Sequence, residues 1–140
     1  METARVLAKK RATVILAVRN LKKGRKVADR IKSETNNAVL SVMELDLADL
    51  QSVHAFAADF NHAFSRLDLL INNAGVMIPP YTKTVDGFEL QFGTNHMGHF
   101  ALTGLLLDRL QKRYAHGIVL PNAVTSNALG LARYAQRLWG

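Results

Sequence analysis

The tetrapeptide Asn72-Asn73-Ala74-Gly75 interrupts an apolar run, Leu69-Leu70-Ile71, with two amides, a minimal side chain and a glycine. Amides at such a point can hydrogen-bond a ligand, and Ala-Gly lets a flat molecule approach the backbone. Two other apolar runs end in the same polar manner, at Arg19-Asn20 and at Asp46-Leu47. Leu47 apart, these residues just past the ends of their runs are polar or small where the runs themselves are apolar. Asn95 is an amide within a helical pattern, a setting where such groups often face solvent or bond a neighbouring carbonyl. His96 and His99 stand three apart, but no carboxylate or third His follows at helical spacing. Two neighbouring His are poor grounds for a metal site, so we assign no metal.

These groups need elements to position them, and the chain alternates helical and strand patterns. Residues 2–10 read as a helix with Ala4, Leu7 and Ala8 on one face. Thr13–Val18 is a β-branched apolar run of strand length. Residues 22–34 are helical, with Val27, Ala28 and Ile31 opposite a Lys/Arg face. Ala38–Leu45 predicts a second strand, residues 50–65 a helix and Leu67–Ile71 a third strand. Phe56, Phe60 and Phe64 share one face of that helix, which marks them as core and not as a base-stacking platform. Asp86-Gly87 precedes a long helix expected over 88–113, with Phe88, Phe92, Phe100 and Leu106 among its apolar positions. Such alternation, with strands that look buried on both faces, predicts a parallel sheet covered by helices. Sheets of this kind bind ligands outside the carboxyl ends of their strands, where the polar residues just named lie.

Composition agrees with a globular domain. The 140 residues are 49% hydrophobic and 21% charged, with no cysteine, which leaves no disulfide framework and no thiolate metal site. The first ten residues contain Glu2 and Arg5 and no apolar run, so no signal peptide is read there. No apolar stretch is long enough to span a bilayer, and the expectation is a cytoplasmic protein with no membrane span. The formal charge of +7 is uneven: residues 1–32 carry eleven Lys/Arg against Glu2 and Asp29, leaving −2 for the remainder. Nucleic-acid binding through residues 5–32 is one reading of this charge, but no nucleic-acid motif accompanies it. We prefer solvated helix faces together with a phosphate-bearing ligand, and expect no specific nucleic acid.

With those residues in hand, the chain resembles a short-chain dehydrogenase/reductase. The motif at Asn72–Gly75 resembles the one that follows the family's fourth strand. Asp86–Leu106 resembles its long helix with an active-site Asn, here Asn95, and "NHMGHF" within it is most similar to the retinol-dehydrogenase-like branch. The resemblance covers about residues 1–110, taken as a partial dinucleotide-binding domain, with 111–140 as a tail. It implies an NADP(H)-dependent oxidoreductase acting on a small-molecule alcohol or carbonyl. Asp46 would bond the adenine with Leu47 beside it, while Asn72, Ala74 and Gly75 would lie along the adenosine and ribose. Arg19 would pair with a 2′-phosphate, since no acid stands there to accept bonds from a ribose 2′-OH. Asn95 would order a water in the proton path.

Two departures qualify this. The family opens with a strand and a TGxxxGxG turn that receives the pyrophosphate, and none of the nine glycines forms such a cluster. The missing strand is the central one of this topology, so the fold class expected is an incomplete doubly wound parallel α/β sheet, split where that strand would lie. The family's chemistry also needs Tyr-x-x-x-Lys and a Ser. Tyr81, Tyr114 and Tyr134 are followed four residues on by Val85, Ile118 and Leu138, and neither Ser126 nor Tyr134 has the required spacing. His116–Tyr134 distantly resembles a later strand of the family brought forward by a deletion; unrelated sequence is the alternative. The expectation is a truncated relative, inactive as this chain. The alternative is a non-enzymatic interaction module, dimerising through helix 88–113.

Overall fold

A computed structural model describes residues 2–111 and 118–121, and the chain divides into two compact units, Met1–Asp46 and Leu47–Gly140. The first unit runs α1 (Glu2–Lys9), β1 (Val14–Val18), α2 (Leu21–Glu34) and β2 (Leu40–Glu44). Strands β1 and β2 pair in parallel from Val14 opposite Leu40 to Val18 opposite Glu44. Ala8, Val14, Ala28, Ile31 and Leu40 form the buried core, flanked by Leu7, Leu16, Val27 and Val42. Helix α1 stops where Arg11 turns left-handed at φ 62°, and Asn20 starts α2 by accepting from the Lys23 N–H at 2.9 Å. A Cβ at Gly24 would come within 2.6 Å of Val18 and 2.8 Å of Val42, so only glycine lets α2 lie this close to the sheet.

The second unit contains α3 (Leu50–Ala63), β3 (Leu69–Asn72), α4 (Leu90–Phe92), a π-helical turn (Gly93–Met97), α5 (Gly98–Gln111) and β4 (Ile118–Pro121). Asp49 caps α3 by accepting from the N–H groups of Gln51 and Ser52. Helix α3 buries Val53, Phe56, Ala57 and Phe60 and packs on α5, which buries Leu102, Leu106, Leu107 and Leu110. Arg109 ties the two helices, donating at 2.9 Å both to the Asn61 side chain and to its carbonyl. Strand β4 pairs in parallel with β3, Leu69 opposite Ile118 through Asn72 opposite Pro121.

The fold is thus α/β with two separate two-stranded parallel sheets, the split expected if a central strand is lacking. Elements fall within two residues of the expected bounds, with two differences of substance. Strand β3 extends one residue further and takes in Asn72. The long helix is not uniform: it opens with one short turn of α-helix and then a π-helical turn, in which the Gly98 N–H bonds the Gly93 carbonyl. The end of that helix at 112–113, Tyr114, Ser126 and Tyr134 lie outside the described residues. Among the described residues no helix is long and apolar enough to cross a membrane.

Candidate functional site

In the first unit, Arg19 and Asp46 follow the carboxyl ends of two adjacent parallel strands. Leu45 donates its N–H to the Val18 carbonyl at 3.0 Å, which keeps those two ends together. Arg19 is exposed, and the first turn of α2 beyond it carries Lys22 and Lys23 and no acid. Cations beside a helix N-terminus oppose its dipole, an arrangement that an anion there would relieve. Asp46 is half-buried.

In the second unit, Leu47 is buried and its carbonyl faces Gly98, where a Cβ would come within 2.3 Å of the Leu47 oxygen. Helix α5 therefore begins in backbone contact with the segment that follows Asp46. Asn73, Ala74 and Gly75 are exposed, but Asn72 is not: only 2% of its surface reaches solvent. Its Nδ2 donates to Thr103 Oγ1 at 3.0 Å, and that hydroxyl donates to the His99 carbonyl at 2.7 Å. Asn72 thus anchors β3 to α5, and its buried Oδ1 has no partner among the described residues.

Asn95 is likewise buried, and both ends of its amide are occupied. Oδ1 accepts from the Val76 N–H at 2.8 Å and Nδ2 donates to the Val76 carbonyl at 2.7 Å. The π-helical turn carries Asn95 to this grip, and such turns occur often at functional sites. The Asn95 carbonyl accepts from His99 at 3.0 Å; a carbonyl cannot donate, so Nδ1 of His99 carries the proton. Burial lowers the His99 pKa; the bond to Asn95 opposes this, and the nearby His96 adds a smaller downward push.

His96 has a different environment, stacked on Phe92 with ring centres 5.3 Å apart. Among the described residues no three His, Asp or Glu side chains gather as a metal site. Two backbone N–H groups, of Gln91 first and then Phe92, hold the Glu89 carboxyl below its ordinary pKa and fix the start of α4.

The structure therefore places Arg19 and Asp46 just after the carboxyl ends of two adjacent strands. It places Asn95 against the residue after Gly75, and turns Asn72 inward. Sequence reasoning missed Thr103, His99 and Gln91 as partners of these groups. The signal available was the i, i+4 spacing of Asn95, His99 and Thr103 on one helical face.

Three comparisons bear on this geometry. The sequence model described as short chain dehydrogenase matches residues 1–135. Retinol dehydrogenase 12 of Mus musculus is 51% identical over 111 residues, 79% of this chain and 35% of its own length. A crystal structure of an uncharacterised protein from Mycobacterium paratuberculosis superposes with TM-score 0.68 and 54% identity, over 77% of this chain and 37% of its own. A short chain dehydrogenase from Shigella flexneri, solved with NADP, gives TM-score 0.65 and 31% identity over 79% of this chain and 48% of its own. The chain spans about a third of the length of the mouse protein it matches.

Proposed function

The chain belongs to the short chain dehydrogenase family, in its retinol-dehydrogenase-like branch, and on that premise we propose that it carries the adenosine side of an NADP(H) site. The observation that carries this reading is Arg19: exposed, at the carboxyl end of β1, followed by Lys22 and Lys23, with no acid in the first turn of α2. In doubly wound folds an acid near this point bonds a ribose 2′-OH, whereas Arg accommodates a 2′-phosphate. That the Shigella flexneri relative was solved with NADP supports the same choice.

The residues fit the group in part. Arg19 takes the 2′-phosphate and Asp46 the adenine, with Leu47 beside Asp46. Ala74 and Gly75 lie along the adenosine and ribose. Asn72 serves from beneath, because its buried amide braces β3 against α5. Asn95 fixes Val76 and so sets where the chain runs after Gly75.

A bound nicotinamide supplies the hydride chemistry, and the protein's part is to bind and orient it. The matched relative is named a retinol dehydrogenase, which supports an alcohol or its carbonyl as the ancestral substrate class. The sequence has no Tyr-x-x-x-Lys, and residues 1–110 act here as a partial nucleotide-binding domain without turnover by this chain alone.

Titrating NADPH and NADH fluorescence tests the reading. Wild type binds NADPH more tightly than NADH, and Arg19→Ala weakens NADPH about 10- to 100-fold, the weight of a charge-assisted bond, while leaving NADH unchanged. Equal loss for both nucleotides, or NADPH consumption with an aldehyde, contradicts it.

A further inference from the structure

The segment after Gly75 is held at a second point that the family reading does not use. Gln91 Oε1 accepts from the Ile78 N–H at 2.8 Å, while Asn95 grips Val76. Gln91 and Asn95 are four residues apart on the helical run, and Val76 and Ile78 are two apart in the loop that follows Gly75. Two amides of the helical run therefore meet alternate residues of one loop segment.

Gln91 is itself fixed, since the Glu89 carboxylate accepts from its N–H at 2.9 Å. The chain beyond is closed by backbone bonds, Leu90 N–H to the Thr82 carbonyl and Thr84 N–H to the Phe88 carbonyl.

Ile78 makes this second point informative. It is a β-branched residue in the left-handed region, at φ 48°, a strained conformation that persists only where the surroundings over-determine it. Burial of its side chain does not supply that constraint, because Ile78 is 86% exposed, with Met77 at 81% and Tyr81 at 79%. The constraint lies in the backbone bond to Gln91.

We propose that Gln91 is a positioning residue that, paired with Asn95, holds Val76–Ile78 as a preformed apolar wall beside the nucleotide rim. The ligand-facing role of that wall rests on the NADP(H) reading; the latch itself does not.

Three variants test it: Gln91→Leu removes the acceptor, Gln91→Glu keeps it, and Ile78→Gly removes the strain. Amide hydrogen exchange at position 78 is followed by NMR in the whole 140-residue chain. Gln91→Leu speeds exchange of the Ile78 amide about fivefold or more, with the global melting midpoint unmoved, and Gln91→Glu stays near wild type. In the Ile78→Gly background the same Gln91→Leu change releases the flanking amides less, because glycine adopts the conformation unaided. Unchanged exchange in Gln91→Leu, or Gln91→Glu behaving like it, overturns the latch. A weaker NADPH Kd in Gln91→Leu is the expected functional consequence, and an unaltered Kd with a released Ile78 amide overturns the positioning role. A wild-type chain that ignores NADPH overturns the NADP(H) reading, while the exchange comparison still decides the latch.

Discussion

Asn72 and His99 illustrate how a buried polar side chain is held and what it costs. An unpaired buried acceptor costs about 1–3 kcal/mol, and Asn72 Oδ1 has no partner among the described residues while Nδ2 bonds Thr103. His99 makes a sharper prediction, because its pKa is lowered by burial. The unfolded chain takes up the imidazole proton near its ordinary pKa of about 6.5, before the folded chain does. Stability from this group is therefore full above that value and is lost as pH falls below it toward the lower folded pKa. Glu2, bonded to Arg5, and Glu89, bonded by two backbone N–H groups, are also held low, but theirs is lost only below about 4.5. Between pH 7.5 and 5.5 the melting midpoint should fall, and His99→Gln should flatten that slope; an unaltered slope in the variant refutes the assignment. At this scale the sequence was half legible. Two amides after a strand mark a special place, but the direction of Asn72 depends on Thr103, thirty-one residues later. Such a nonlocal partner leaves no trace in local pattern.

At the scale of elements, periodicity gave the alternation of helices and strands, because each element presents one apolar face to a core. It did not give the π-helical turn. Phe88, Phe92, Phe100 and Leu106 keep an apolar rhythm across it, and one extra residue in the turn barely disturbs that rhythm. The cause is tertiary: Asn95 must reach Val76 while Gly98 must lie against the Leu47 carbonyl. Gly98→Ala therefore sets a methyl against backbone that cannot rotate away, and should destabilise the chain by about 1–3 kcal/mol. Urea unfolding measures this directly; a variant within error of wild type shows that the two backbones are not in obligatory contact.

At the scale of the whole molecule, the uneven charge and the split sheet are the properties that bear on function. Residues 1–32 gather the positive charge, and that part of the chain carries Arg19. Attraction for an anionic nucleotide is thus favoured at low ionic strength and screened as salt rises. The parallel architecture was legible from apolar runs of strand length alternating with helical patterns. The division into two sheets, β1 with β2 and β3 with β4, accords with the absence of a TGxxxGxG cluster among the nine glycines of these 140 residues. The most direct measurement is a set of thermal melts at low salt, with no ligand, with NADPH and with NADH. We expect one cooperative transition whose midpoint rises with NADPH alone, by the equivalent of about 2.7 kcal/mol at a hundredfold excess over Kd. A transition that responds to neither nucleotide, or equally to both, would contradict a 2′-phosphate site at Arg19.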